Sequence, residues 1–422
     1  MPRPVRCVRT GVRWHTEGEC LKGEPPKVPK DLDVLFAPVT VGKLVLRNRF
    51  VMPGMQRGFM NDGAPTPKMV EYMRRCAAGG VGLIISESTS PDHPSAYWQP
   101  MMGRLEAGTL AAWRPVVDAV RGEGAGFLLQ LWHPGSMRKV AAGHPLAGYP
   151  AWSPSGLIQN GRPHGHAMTR QDLQELQLAY VQAAQQAQAL GADGIEVHSA
   201  HGYLLDQFLW AQTNQRQDEY GGRTLAERAR YSAQIVTAIR AAVGPDFVIS
   251  YRFSQFKEVD YGAVVAASPE DLGAMLALLR ASGVDMFNVS SRRFHKAEWP
   301  DSAHPDFTIA EWVKSMTDAV VMTCGSVGLN VEMFANLFDD EEPSELTLEG
   351  DLKYLADRVR RGTLDLVGVG RMHIANNDFV NKVREGRYRD LVLFNKMVHL
   401  VEAMAAVEPG FVEESRRNDA AD

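Results

Sequence analysis

Cysteine is scarce. The chain has four in 422 residues (Cys7, Cys20, Cys76 and Cys324), with no Cys-x-x-Cys pair and no tight cluster. That spacing excludes a thiolate zinc site, an iron–sulfur cluster of the usual kind and a disulfide scaffold, and points to a reducing, cytoplasmic setting. No uninterrupted apolar run approaches the length of a bilayer span, so no segment reads as a membrane helix. Positive charge is not in excess either. A formal net charge of -5 argues against capture of nucleic acid or of an acidic membrane face. A Gly-x-Gly-x-x-Gly turn, which an open dinucleotide-binding sheet would carry after its first strand, is absent there. The first 20 residues hold no serine and no acid before Glu17, but they hold Arg3, Arg6, Arg9 and Arg13. Pro2, Pro4 and Gly11 spoil an amphipathic helix, so residues 1–30 read as a poorly ordered extension rather than a transit peptide.

What is present supports a large core, since 45% of the residues are hydrophobic. From Phe50 onward a short apolar or β-branched run alternates with a helical stretch, the signature of a parallel sheet. The pattern predicts strands over 50–53, 82–87, 126–132, 194–198, 247–253, 286–290, 320–324 and 364–370. Helices are predicted over 67–78, 110–121, 172–190, 225–243, 269–282, 309–316, 350–361 and 378–384. Eight alternating units favour a single closed (β/α)8 TIM barrel with loop insertions over an open sheet. The barrel is expected over 31–400 with a tail at 401–422. The insertions fall at 141–169 and at an acidic stretch, 338–345, which reads as a solvated loop.

Catalytic groups of such a barrel sit where its strands finish. Strand one ends in Gly54-Met55-Gln56 and strand two in Ser88. Strand three offers Gln130 and Trp132, and strand four His198, His201 and Tyr203. Strand five carries Arg252, strand seven Gly325 and Ser326, and strand eight Gly370 and Arg371. Glycine backbone N–H groups and an arginine fork after strands seven and eight suit a phosphate. Arg252 lies in an otherwise apolar strand and needs an anionic partner, which a ring that becomes anionic on reduction would supply. An ion pair with Glu196 is the alternative. Gln130 both donates and accepts, which suits a pyrimidine edge. His198 and His201 offer donors that would polarise a carbonyl, and Tyr203 offers an acid to protonate the neighbouring carbon. Taken alone, the two histidines support metal binding almost as readily, although no third ligand stands nearby. The basic loop 291–296 reads as solvated apart from Phe294, which is expected to face the substrate.

The stretch Glu196-Val-His-Ser-Ala-His-Gly-Tyr-Leu-Leu-Asp-Gln-Phe-Leu209, continuing through Asn214-Gln-Arg-Gln-Asp-Glu-Tyr-Gly-Gly222, resembles the corresponding segment of the Old Yellow Enzyme flavoproteins. The likeness runs from Leu35-Phe-Ala-Pro-Val39 and Leu46-Arg-Asn-Arg-Phe50 to Val367-Gly-Val-Gly-Arg371, most of the chain. The resemblance implies an FMN-dependent ene-reductase in which NADPH or NADH reduces the flavin and a small activated alkene then takes the hydride. It implies that His198 and His201 bind the substrate carbonyl, that Tyr203 donates the proton and that Trp132 shapes the pocket. Gln130, Arg252 and His198 would contact the FMN ring, Gly54, Met55, Gln56 and Ser88 would line its edge, and Gly325, Ser326, Gly370 and Arg371 would hold its phosphate. The chain departs from the family at two positions: Gln56 where relatives place Thr or Cys beside flavin O4, and Gly54, expected to loosen a turn where many relatives have Pro. A monomer or homodimer is expected, with no nucleic-acid or membrane partner and no metal. Two rivals stay open: a flavoprotein that binds phenolic or enone ligands with little turnover, and a metal-dependent barrel hydrolase using His198 and His201.

Overall fold

Eight parallel strands close into a ring in the computed structural model, which describes residues 28–158, 161–338 and 341–406. They are β1 (Phe50–Met52), β2 (Leu83–Ile85), β3 (Gly126–Leu131), β4 (Gly194–His201), β5 (Val248–Lys257), β6 (Met286–Ser290), β7 (Val320–Cys324) and β8 (Leu366–Gly368). Each pairs with the next, β8 returns to β1, and β3 pairs with β4 to complete the circle. The predicted single TIM barrel is the observed fold.

Helices follow the strands in turn: α1 (Pro67–Ala78), α2 (Leu110–Gly122), α3 (Arg170–Ala189), α4 (Arg230–Val243), α5 (Pro269–Ser282), α6 (Ile309–Met316), α7 (Leu348–Arg360) and α8 (Phe379–Arg384). Local chemistry sets several of their starts. Thr169 and Asp172 form a reciprocal capping box at α3, and Thr308 with Glu311 does the same at α6. Proline opens α1 and α5, where its missing N–H costs nothing. The helix predicted over 225–243 is divided at Ala229 into Leu225–Arg228 and α4, each piece with its own start. The acidic stretch begins at the end of a short helix, Met333–Phe338; residues 339–340 lie outside the described residues, as do 1–27 and 407–422.

The barrel interior is stratified. Val51, Leu83, Ile85, Leu128, Val248, Met286, Met322 and Leu366 fill its lower part, and Val41 and Leu46 of an antiparallel N-terminal hairpin join them from below. Above this apolar plug lies a polar floor. Glu196, fully buried, accepts from Gln130 Nε2 at 2.9 Å, Ser250 Oγ at 2.9 Å and Asn288 Nδ2 at 2.8 Å. The register explains the meeting, because Glu196 pairs with Gln130 on one side and Ser250 on the other. Leaving any one of these buried groups unpaired would cost about 1–3 kcal/mol. The next inward-facing positions, two residues on, form the mouth.

Candidate active site

At the β4 end three rings gather. His198 stands edge-on to His201 with centroids 5.4 Å apart, and Tyr203 lies 5.6 Å from His198. His201 adopts φ 66°, a left-handed conformation unusual for a residue with a side chain, held by its N–H donating to Ser254 Oγ at 3.0 Å. The turn continues into Gly202, whose N–H donates to Asp206 Oδ2 at 2.6 Å. Asp206 Oδ1 in turn accepts from Lys257 Nζ at 2.7 Å, and both side chains of this ion pair are 0% exposed. The turn that carries the histidines and the tyrosine is therefore clamped to the end of β5.

Electrostatics keep both imidazoles neutral. Burial depresses the His198 and His201 pKa values well below the ordinary range, and the Arg252 charge adds to the effect. His201 Nε2 shares a hydrogen bond with Ser290 Oγ at 2.8 Å, and its Nδ1 lies 3.4 Å from Glu258 Oε1. His198 differs. Neither of its buried ring nitrogens has a hydrogen-bond partner of good geometry among the described residues. A buried neutral imidazole held only by a poor contact with the Ala200 backbone costs free energy, so a ring at the mouth in this state suits a ligand that binds there.

Arg252 does not pair with Glu196, whose oxygens are taken by the polar floor. Its guanidinium reaches Ser290 Oγ at 3.2 Å, and its Nε has no partner among the described residues. Gln130 gives its amide N–H to Glu196 and receives Ser88 Oγ on its carbonyl at 3.2 Å. Glu196 thereby fixes which way that amide faces. Gly54 sits against the same amide: a Cβ there would fall 2.4 Å from Ser86 O and 2.9 Å from Gln130 Nε2. The bare backbone at Gly54 thus permits a close approach to that amide.

Gln56 also departs from expectation. Its Nε2 donates to Met101 O at 2.6 Å, so the amide donor is committed to the loop above and the buried Oε1 is left unpartnered among the described residues. That loop brings Trp98, Met101 and Met102 against Trp132 and Tyr203. Trp98 stacks on Trp132 at 5.5 Å, and Trp132 meets Tyr203 edge-on at 5.1 Å. These flat apolar walls suit a planar ligand over the histidines.

On the opposite side Gly325, Ser326, Gly370 and Arg371 come together. Arg371 Nη2 donates to Ser326 Oγ at 2.9 Å and to Val331 O at 2.6 Å, and Nη1 reaches Asn336 Oδ1 at 3.2 Å. The fork is shared with the loop after β7 rather than left open, but burial lowers Arg371 only to about 10, so the charge stays at neutral pH. Bare backbone is enforced nearby. A Cβ on Gly325 would meet backbone, Ser291 O at 2.6 Å and Phe294 N at 2.9 Å. Phe294 is buried, with its N–H on Gly325 O at 3.0 Å and its ring edge-on to Tyr354 of α7.

Sequence reasoning missed Glu258, Ser290, Trp98 and Glu196 as parts of this site. Glu258 directly follows β5, which runs to Lys257 instead of stopping at 253; a correct strand end would have exposed it. It accepts from Tyr203 Oη at 3.0 Å, and burial pushes its carboxyl up to about 7. Among the described residues no group of three His, Cys, Asp or Glu stands together as a metal set, so the hydrolase reading finds no third ligand there.

These residues fit FMN. The His198 ring and Arg252 Nε, neither with a well-formed hydrogen bond among the described residues, and a fixed Gln130 amide face one mouth, and glycine backbone with Ser326 and Arg371 stands beside it. Comparison with known proteins agrees. A model of the NADH:flavin oxidoreductase / NADH oxidase family matches residues 34–342. An NADH oxidase of Thermoanaerobacter brockii is 30% identical over 371 residues, covering 85% of this chain and 52% of its own length. A 12-oxophytodienoate reductase 7 of Oryza sativa is 29% identical, covering 83% of this chain and 87% of its own length. The chain spans about half the length of the NADH oxidase and of a metal reductase it also matches. Among solved structures, Old Yellow Enzyme from Pichia sp. AKU4542 superposes with a TM-score of 0.70 at 25% identity, covering 86% of this chain and 89% of that one. No helix among the described residues is long and apolar enough to cross a membrane.

Proposed function

Because the chain belongs to the NADH:flavin oxidoreductase / NADH oxidase family, whose cofactor is FMN, we propose that it is an NAD(P)H-dependent ene-reductase acting on the C=C bond of α,β-unsaturated carbonyl compounds. One observation carries the reading: the buried ring of His198, which makes no hydrogen bond of good geometry among the described residues, stands beside His201 and Tyr203. FMN, when bound, supplies the hydride. The protein's own groups do the rest. His198 and His201, kept neutral by burial, would each turn one N–H to the substrate carbonyl oxygen, His201 by exchanging its Ser290 Oγ contact for that oxygen, and stabilise the negative charge that develops on it. Tyr203, its pKa raised by burial, keeps its proton until a strongly basic carbon forms and then delivers it as a general acid. Gln130 and Arg252 would hold the ring of the cofactor, and Ser326, Arg371 and the glycine backbone its phosphate. Trp98 and Trp132 exclude water from the face where the substrate lies.

The test uses a simple phenol, which binds as its phenolate to the same donors and produces a long-wavelength charge-transfer band with the flavin. Replacing both His198 and His201 with Ala should weaken that binding by about 10²-fold, as expected for two lost charge-assisted hydrogen bonds. A band of unchanged affinity in the double variant would show that the donors are elsewhere. The second reading, ligand binding with little turnover, is favoured by the commitment of the Gln56 amide to Met101 O, which leaves an acceptor beside the flavin edge.

A further inference from the structure

Each proton that Tyr203 gives away must be replaced, and the groups assigned above do not replace it. The geometry supplies a source. Glu258, at the end of β5, accepts from Tyr203 Oη at 3.0 Å and stands 3.4 Å from His201 Nδ1. Its side chain keeps 21% of its exposure where that of His201 keeps 6%, so of the two it is the Glu258 side chain that reaches toward solvent. We propose that Glu258 is a proton relay that reloads Tyr203 from solvent after each transfer. It acts through Tyr203 and does not itself touch the alkene.

The proposal rests on the ene-reductase reading. The steps balance as follows. The Tyr203 O–H bond breaks as its proton joins the substrate α-carbon, leaving a phenolate. The Glu258 O–H bond then breaks as its proton crosses the hydrogen bond to that oxygen. The resulting carboxylate takes a proton from water, so one solvent proton enters per alkene and no electrons move in the relay.

The relay is pH-dependent with a definite sign. The titratable and charged groups facing Glu258 are Tyr203 and His201 from the β4 turn and Arg252 from β5; its chain neighbour Lys257 is turned onto Asp206. Burial raises the Glu258 carboxyl to about 7, opposed by the Tyr203 hydrogen bond and the Arg252 charge. Below that pH the acid can give a proton. Above it, the carboxylate can only accept the phenolic hydrogen and hold it away from the substrate.

The experiment compares native protein with Glu258→Gln, carrying bound FMN. Native kcat for alkene reduction should fall about tenfold per pH unit above neutrality, while E258Q should be about tenfold slower at about pH 6 and nearly flat to about pH 8.5. Flavin reduction by NADPH, measured alone, should be the same in both. A difference infrared titration provides a readout apart from turnover: a protonated-carboxyl band that disappears near neutrality in native protein should be missing in E258Q. A descending limb that persists in E258Q, or an unchanged band, overturns the relay while leaving the ene-reductase reading intact. A native protein that reduces no alkene at any pH overturns both. Should E258Q fail to fold, Glu258→Asp must keep the limb at a lower rate, and loss of the limb there would also overturn the relay.

Discussion

Tyr203→Phe should slow reoxidation of the reduced flavin by an activated alkene by about 10²–10⁴-fold, the range expected when a positioned general acid is removed. Reduction of the flavin by NADPH should stay within about twofold, because that half-reaction needs no protein proton donor. The contrast follows from the local packing. Tyr203 rests edge-on against Trp132 and bonds Glu258, so Phe keeps the ring contacts and loses only the hydroxyl. Stopped-flow measurement of the two half-reactions separates the cases, and equal loss in both would remove the tyrosine from its role as acid.

Lys257→Met should destabilise the protein by about 3–5 kcal/mol, since it strands the Asp206 carboxylate in a dry interior. Both partners are 0% exposed, and Asp206 also holds Gly202, so the loss reaches the turn that carries His201 and Tyr203. Burial already raises the Asp206 pKa against the pull of Lys257. Pairing the change with Asp206→Asn removes the stranded charge and should restore part of the stability. Chemical denaturation of the two single variants and the double variant measures the coupling. Strictly additive losses would show that the pair does not act as a unit.

The barrel was legible because periodicity and turn residues recur along the chain. Proline at Pro67 and Pro269 marks helix starts that the structure keeps. The strand-end chemistry was legible for the same reason: inward positions repeat every two residues, so His198, Arg252 and Gln130 had to face one interior. What escaped depended on pairing across the ring. Glu196 looked like a candidate partner for Arg252, but register places it opposite Gln130 and Ser250 instead. Glu258 was hidden by a strand end set four residues too early, at 253 where the strand runs to Lys257. In the structure two side chains stabilise the strand end, Ser254 on His201 N and Gln255 on Val265 N and Ala266 N. The contacts of Phe294 with Gly325 O and Tyr354 were likewise hidden, because an aromatic in a loop carries no sign of which side it will cover. Gln56 could be read as a donor, yet its actual acceptor, Met101 O, comes from a loop 45 residues away.

One mouth is proposed to hold FMN, accept hydride from NADPH and pass it to an activated alkene. An anaerobic visible spectrum of the purified protein, taken before and after NADPH and again after 2-cyclohexenone, tests it most directly. The flavin absorbance should be present at the start, bleach with NADPH and return with the enone. A flavin that bleaches and stays bleached would contradict the ene-reductase assignment, and a colourless protein would contradict the flavin site itself.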